Sequence, residues 1–317
     1  MDLSWQDLAS LQQVQTRSIQ QRQHKVTVHD FVDLQAWQSQ GTFRSLLPRI
    51  LKGQDIAAVV DHFVSAHRGG KANILAMGAH LIKCGLSPLL IDMMQRGWIS
   101  ALVMNGAGII HDLEIALIGE TSEDVADHLD DGTFGMVHET PRLINDALRA
   151  YSGTQVGLGT AIGRALVSGD YPYKAQSLLA MAYTYDIPVT VHVAIGADTI
   201  HMHPSTNAAL LGQASYTDFQ RLTLLLKALH GGGCYWNIGS AVLLPEVFLK
   251  ALTLCRNTGH QVAHFFTLNL DMQQHYRPAY NVVNRPTQGS GRGYTLTGHH
   301  EIMLPLLYMM ILEALAE

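Results

Sequence analysis

The sequence predicts an α/β protein whose mainly parallel sheet is covered by helices on both faces. Short apolar runs of strand length alternate with segments that carry apolar residues at helical spacing. The apolar run at 101–104 ends in a turn bracketed by glycines, as strands that support ligand loops do in parallel sheets. The chain has 317 residues, of which 47% are hydrophobic, so it can bury a large core.

Apolar periodicity gives the expected elements in chain order. They are helix 43–67, strand 73–77, helix 87–96, strand 98–104, helix 121–128, helix 141–151, helix 175–185, strand 187–194, helix 217–229, helix 243–258, strand 263–270 and helix 299–315. Ser87 is a plausible N-cap because Pro88 follows it at the first helical position. Thr217 or Asp218 is the expected N-cap of the helix at 217–229.

The domain organisation is expected to be simple. Residues 1–24 are polar and glutamine-rich, which predicts a helix or a loose arm, and we assign 1–40 to an N-terminal helical extension. No linker or internal repeat interrupts the rest, so 41–317 is predicted to be one domain.

Charge and composition exclude some function classes. The net charge is −5 and no basic run exceeds a dipeptide, so a nucleic-acid partner is not expected. Only 15% of residues are charged, which favours a homo-oligomer that covers part of the surface. The three cysteines have no ligand spacing, and the polar start lacks a signal-peptide core, so we expect a cytoplasmic protein. The apolar stretch at 304–316 is too short to span a bilayer, so no membrane partner is expected.

The turn after residue 104 carries the clearest functional signal. It delivers Asn105, His111 and Asp112 around Gly106 and Gly108. Glycines let the backbone approach a ligand, and the polar residues can then bind it. A purely structural turn would explain the glycines but would not need the three polar side chains.

This turn and the segment Gly78-Ala79-His80-Leu81-Ile82-Lys83-Cys84-Gly85 resemble the cofactor-binding half of the deoxyhypusine synthase family. That family has Ser-Asn-Leu-Ile-Ser-Ser-Gly and then Thr-Ala-Gly-Gly-Val-Glu-Glu-Asp at about this spacing. His80 stands where the family has its Asn, Asn105 where it has its Thr, and Asp112 where it has its final Asp. Further similarity at 187–189, 198–203 and 303–307 extends the resemblance from about residue 40 to the end.

The resemblance implies a Rossmann-like, deoxyhypusine synthase-like fold, NAD as cofactor and a homotetramer with sites at subunit interfaces. It implies that the NAD site comprises His80, Asn105, Gly106, Gly108, Asp112, Gly239, Ser240 and His299. It also matches Asp198 and His203 to a family segment whose Asp lines the amine pocket. A buried Asp suits an ammonium or guanidinium partner, although it could instead cap the turn that follows.

The chain departs from the family where the chemistry takes place. The family carries its aminobutyl group on a lysine near the C-terminus, but this chain has no lysine after Lys250. Arginine in that region cannot substitute, because it stays protonated and forms no imine. The family's His-His pair is also missing from 239–246. Transfer through a lysine imine is therefore not expected.

Two other motifs allow alternative interpretations. Gly157 to Gly163 matches GxGxxxG, a pattern of phosphate-binding loops, but a phosphate loop follows a strand and the preceding segment here is predicted to be helical. We therefore interpret these glycines as residues that pack a helix or begin one. His201-x-His203 could chelate zinc, yet no third ligand has suitable spacing, and we assign no metal ligand.

The leading hypothesis is an NAD-dependent enzyme that acts on a small, polyamine-type amine or guanidine compound. Asp198 would anchor the positive end of the substrate, and His203 or His111 would be the general base, since histidine titrates near neutral pH. The alternatives are a hydrolase or lyase that uses a histidine cluster, with or without a metal, and a non-catalytic nucleotide-binding homologue.

Overall fold

The structure is a computed structural model that describes residues 5, 9 and 11–316. Its centre is a sheet of six strands, and all five neighbouring pairs are parallel. The strands are β1 (Asn73–Met77), β2 (Ala101–Asn105), β3 (Val189–His192), β4 (Cys234–Ile238), β5 (Phe266–Asp271) and β6 (Arg292–Thr297). The expected parallel α/β architecture is confirmed.

Helices connect the strands and cover both faces of the sheet. They are α1 (Leu34–Gln40), α2 (Leu51–Arg68), α3 (His80–Lys83), α4 (Ser87–Gln95), α5 (Gly106–Ile118), α6 (Val125–Leu129), α7 (Glu139–Ala150), α8 (Leu158–Ser168), α9 (Leu178–Thr184), α10 (Ala208–Leu225), α11 (Leu243–Asn257), α12 (Tyr276–Pro278) and α13 (His300–Ala316). A π-helical segment, Ala279–Asn284, continues α12. No helix within the described ranges is long and apolar enough to cross a membrane.

The strand order β3-β2-β1-β4-β5-β6 creates a topological switch point. The chain starts at β1 in the middle, builds outward through β2 and β3, and then returns to place β4 on the other side of β1. This is the order of the doubly wound dinucleotide-binding folds. The helices that follow β1 and β4 therefore pack on opposite faces of the sheet, and in such folds ligands bind at this point, beyond the carboxyl ends of the strands.

Apolar packing on both faces fixes the sheet. On one face, Phe63 of α2 packs against Trp236 of β4 with ring centroids 4.6 Å apart. On the other face, Tyr235 of β4 stacks on Phe248 of α11 at 3.8 Å. Strands that are buried on both faces are expected for a parallel sheet, and every residue of β1, β3 and β4 is buried.

Several expected boundaries were wrong. The helix predicted at 43–67 begins only at Leu51, and the one predicted at 217–229 begins at Ala208 with Asn207 as its N-cap. Asp218 therefore lies inside α10 and is not a cap. Leu86 is the N-cap of α4, so Ser87 is already helical.

The N-terminal extension is described only in part. Residues 1–4, 6–8 and 10 lie outside the described residues. Three isolated 3₁₀ turns, Leu11–Gln13, Ile19–Gln21 and Val28–Asp30, precede α1. The domain boundary at residue 40 stays a prediction.

Candidate functional site at the carboxyl end of the sheet

The topology gathers most of the predicted site residues at one edge of the sheet. His80 follows β1, Asn105 ends β2, Asp198 follows β3, Ser240 follows β4 and His299 follows β6. All five therefore lie at or beyond the carboxyl ends of parallel strands, which is where ligands bind in such sheets.

We define the switch-point crevice by Gly78, His80, Gly239, Ser240 and His300. The Gly78 N–H donates to the Ile238 carbonyl at 2.9 Å, so the loop after β1 lies directly against the end of β4. A Cβ atom on Gly78 would clash with the Gly239 carbonyl, and Gly239 itself has a φ of +69°. Only glycines allow the two loops to approach so closely.

His300 is the buried imidazole of this crevice. His300 is 1% exposed, and a Cβ atom on Gly239 would lie 3.0 Å from the Cε1 atom of its ring. The His80 ring meets it edge-on with centroids 5.4 Å apart, and Asp271 Oδ1 lies 3.8 Å from its Nε2. Both ring nitrogens are buried, and neither makes a hydrogen bond of good geometry with any described residue, although the Leu270 backbone lies close enough to influence the ring.

Burial sets the protonation state of His300. It lowers the pKa of the ring more than Asp271 and the Leu270 backbone raise it. The imidazole is therefore neutral near pH 7 and offers one donor and one acceptor to a ligand. The sequence predicts His299 in the site, but the structure leaves its side chain 66% exposed beside Glu301, with His299 Nδ1 3.7 Å from Glu301 Oε1. His300 was missed because the orientation of this His-His pair depends on where α13 begins.

A second group of predicted residues surrounds the N-terminus of α5. The Asn105 side chain accepts a hydrogen bond from the Gly108 N–H at 2.9 Å and so caps the helix. The Asp198 carboxylate packs over Gly106, where any side chain would clash with it, and the Ala107 backbone N–H is bonded to it. Asn105 and Asp198 thus share the amides at the start of α5.

Asp198 keeps unused hydrogen-bonding capacity. Burial raises its pKa, against the opposing effects of His201 and of the Ala194 and Ala107 backbone. Its Oδ2 atom and the Nε2 atom of His201 are both buried without a partner among the described residues. Because the Gly196 N–H donates to His201 Nδ1 at 3.2 Å, the neutral ring carries its proton on Nε2. One loop therefore holds an unused acceptor and an unused donor.

The two proposed general bases lie in other local networks. The His203 Nδ1 atom lies 2.8 Å from the Ser205 hydroxyl, and its ring meets His138 edge-on at 6.0 Å. The His111 Nδ1 atom lies 2.7 Å from the Thr121 hydroxyl, which also bonds Glu114. Within the described part of the chain, no hydrogen bond or ion pair joins either ring to Asp198.

Asp112 has a structural role. It is fully buried and accepts hydrogen bonds from the Ser177 hydroxyl at 2.6 Å, the Leu178 N–H at 2.7 Å and the Leu179 N–H at 3.0 Å. These contacts satisfy the N-terminus of α9. Because both carboxylate oxygens are used inside the core, we leave Asp112 out of the proposed site.

The glycine motif at 157–163 packs helices, as expected. A Cβ on Gly159 of α8 would clash with the Val189 carbonyl of β3, and one on Gly163 would lie 2.7 Å from the Leu179 carbonyl of α9. Among the described residues, no third metal ligand lies close to the pair His201 and His203. In the ranges that the structure covers, the ligand atoms close enough to share an ion belong to His80, Cys84 and Glu301.

Comparisons with known proteins bear on the fold. No protein-family model and no curated protein sequence matches this chain. A conserved LOR/SDH protein from Methanococcus maripaludis S2 aligns with a TM-score of 0.54 and 16% identity, over 96% of this chain and 76% of that one. AgrE, solved in a ternary complex with ornithine and NAD⁺, aligns with a TM-score of 0.54 and 13% identity. ArgZ, an arginine dihydrolase from cyanobacteria, aligns with a TM-score of 0.51 and 16% identity.

The chain spans 33% of the length of the AgrE and ArgZ chains, while 83% of its own residues are aligned. A deoxyhypusine synthase homologue from Entamoeba histolytica aligns over 81% of this chain and 86% of that one, with 10% identity and a TM-score of 0.47, too low to carry an argument. At these identities the likeness shows the fold alone. The Rossmann-like α/β class is confirmed, and membership of the deoxyhypusine synthase family stays a prediction.

Proposed function

We propose that the chain binds a nicotinamide dinucleotide in the switch-point crevice and acts enzymatically on a small amine or guanidine compound. The observation that carries this proposal is the crevice itself, where two glycine turns meet beside a buried, neutral imidazole with two unused ring nitrogens. The complex of AgrE with ornithine and NAD⁺ supports it, because that protein shares the fold.

The crevice residues fit a dinucleotide better than the N-terminus of α5 does. Gly78 and Gly239 let the loops after β1 and β4 meet in close contact, and His300 offers a donor and an acceptor beside them. At α5, by contrast, the Asp198 carboxylate already takes the Ala107 amide, and its charge would repel a phosphate. We therefore assign cofactor contacts to His80, Gly239, Ser240 and His300. Asn105, Gly106 and Gly108 form the adjoining wall. A bound nicotinamide would supply hydride chemistry.

The Asp198 loop is the proposed substrate anchor. The unused Oδ2 atom of Asp198 can accept an N–H of an ammonium or guanidinium, and the His201 Nε2–H can donate to an oxygen of the same molecule. A cationic partner would favour the ionised form of Asp198 and so offset the cost of its burial. His203 and His111 stay the candidate proton acceptors.

NAD binding is tested by calorimetric titration of the freshly purified chain. We expect wild type to bind, and His300→Phe, which keeps the volume but removes both ring nitrogens, to weaken binding about tenfold, or ~1.4 kcal/mol. The matched control is His299→Ala, which removes an exposed neighbour and should bind like wild type. Equal affinities for wild type and His300→Phe would contradict the assignment. Native mass spectrometry of the same preparation tests the proposed homotetramer.

The anchor role of Asp198 is tested with Asp198→Asn. The amide oxygen can still accept from the Ala107 N–H, so we expect the fold to persist while the charge is lost. The KM for the amine should rise about tenfold or more, and the Kd for NAD should stay unchanged. An unaltered KM would remove Asp198 from the substrate site, whereas a parallel loss of NAD binding would indicate a structural effect.

A further inference from the structure

Three different metal-ligand types meet beside the crevice, from two segments that are far apart in sequence. His80 and Cys84 lie one helical turn apart at α3, and Glu301 lies in the first turn of α13. One ligand atom from each residue lies within 4.8 Å of the other two. The Cys84 Sγ and Glu301 Oε2 atoms are 3.8 Å apart.

The local backbone explains why two of the ligands share a face. The Cys84 N–H donates to the His80 carbonyl at 2.9 Å, which is the bond of a helical turn. Residues four apart on a helix lie on the same side, so the imidazole and the thiol point in one direction. The start of α13 then brings the carboxylate to them.

The ligand set and its spacing suit zinc. Zinc binds cysteine sulfur at about 2.3 Å, histidine nitrogen at about 2.0–2.1 Å and carboxylate oxygen at about 2.0–2.2 Å, in a tetrahedral arrangement. At those bond lengths the ligand atoms are roughly 3.3–3.7 Å from one another. The side chains need to move inward by no more than about 1 Å to reach that geometry. Three protein ligands leave a fourth position for water or a substrate atom.

The electrostatics of the cluster also favour a cation. The Cys84 thiol and the Glu301 carboxylate face each other, with Sγ and Oε2 3.8 Å apart. A divalent cation would replace the thiol proton, which would leave to solvent, and would pair with both the thiolate and the carboxylate. Glu301 Oε1 also lies 3.7 Å from His299 Nδ1, an outer contact of the kind that orients metal-bound carboxylates.

We propose that His80, Cys84 and Glu301 bind one divalent cation of the zinc class, with a fourth coordination position open. The site goes beyond the proposed function because it needs no dinucleotide. His80 lies on the boundary between the two sites, since its ring also meets His300.

The probe is Co²⁺, added without NAD to the full chain after chelator treatment. We expect one Co²⁺ per chain, a thiolate-to-cobalt charge-transfer band, and loss of that band when Zn²⁺ is added. Cys84→Ser should abolish the band, and Cys84→Ser and Glu301→Gln should each weaken binding about tenfold or more. Cys84 is half-buried and Glu301 is exposed, so both variants are expected to fold.

Glu120→Gln is the matched control for Glu301→Gln, because it removes a carboxylate from an exposed position elsewhere, and His260→Ala removes an exposed imidazole distant in sequence from the cluster. Both should bind Co²⁺ like wild type. The proposal is overturned if wild type shows no charge-transfer band, or if Cys84→Ser and Glu301→Gln bind Co²⁺ as tightly as the controls. If wild type binds Co²⁺ but does not bind NAD, the result would contradict the dinucleotide proposal and leave the cation proposal intact.

Discussion

At the scale of a single side chain, Asn105 caps α5 beside the proposed dinucleotide site. Its oxygen satisfies the Gly108 N–H, while Asp198 occupies the same helix end from the loop after β3. At the positive N-terminal end of α5, Asn105 is therefore a neutral cap and Asp198 is a buried carboxylate. If a dinucleotide binds as proposed, a negative charge at Asn105 would therefore weaken its binding without removing the cap.

Asn105→Asp tests whether the capping role of this residue can be separated from its proposed effect on dinucleotide binding. Asp caps helices about as well as Asn, so the free energy of unfolding should change by less than about 1 kcal/mol. The added negative charge should weaken binding of the dinucleotide phosphates about tenfold at low salt and less at high salt. Calorimetric titration with NAD at two salt concentrations measures this effect. Asn105→Ala, which loses the cap but adds no charge, should lower stability by ~1 kcal/mol and leave the affinity unchanged. Unchanged affinity in Asn105→Asp would remove this residue from the dinucleotide site.

At the scale of elements, the packing of α8 depends on one glycine. A methyl group on Gly159 would clash with the Val189 carbonyl, whereas one on Gly212 of α10 would meet nothing within 4 Å. We expect Gly159→Ala to destabilise the fold by roughly 1–3 kcal/mol, because β3 and α8 must separate. Gly212→Ala should stabilise it by about 0.5–1 kcal/mol, since alanine loses less entropy in a helix. Urea unfolding of both variants measures the difference, and a loss of stability in both would contradict the packing argument.

The elements also show which information the sequence carries locally. β1, β2, β3 and β5 were expected within a few residues, because each is an apolar run between turns. β4 and β6 were not expected. β4 contains Asn237, and the edge strand β6 contains Arg292, Thr295 and Thr297, so neither is a simple apolar run.

The candidate site was predictable only in part, because the sequence shows local patterns but not contacts between distant segments. The residues at the ends of β1, β2 and β3 could be found, since topology carries them to one edge of the sheet, whereas Gly239 and Ser240 followed only from the family resemblance. The contact of Cys84 with Glu301 joins positions 217 residues apart, and no local pattern indicates it. The role of Asp112 inside the core likewise depends on Ser177 in a distant segment.

At the scale of the whole molecule, two buried carboxylates connect elements that are distant in sequence. Asp112 of α5 holds the start of α9, and Asp218 of α10 accepts N–H bonds from Gly159 and Val191 at 3.0 Å each. Burial raises the pKa of Asp112 to about 6 and that of Asp218 to about 7, despite these hydrogen bonds. Both groups therefore couple the stability of the fold to pH.

The sign of this coupling follows from the direction of the shifts. Both folded-state pKa values lie above the ordinary value of 3.8, so the folded chain binds protons more tightly than the unfolded chain does. The stability that these groups contribute is complete below about pH 4 and is lost as the pH rises through about 6 to 7. The buried imidazoles act in the opposite direction. Burial lowers the pKa of His192 to about 4 and also lowers that of His300, so they reduce stability in acid.

Comparing wild type with Asp218→Asn cancels the histidine contributions, which both chains share. The amide oxygen that this substitution introduces can accept the same two backbone N–H groups, but the amide cannot ionise. We expect the free energy of unfolding of wild type, relative to that of the variant, to fall by on the order of 1–3 kcal/mol between about pH 5 and about pH 8. Urea unfolding of both proteins at the two pH values measures this difference. Parallel pH profiles would show that Asp218 is ionised throughout this range, and that its two N–H partners, rather than burial, set its pKa.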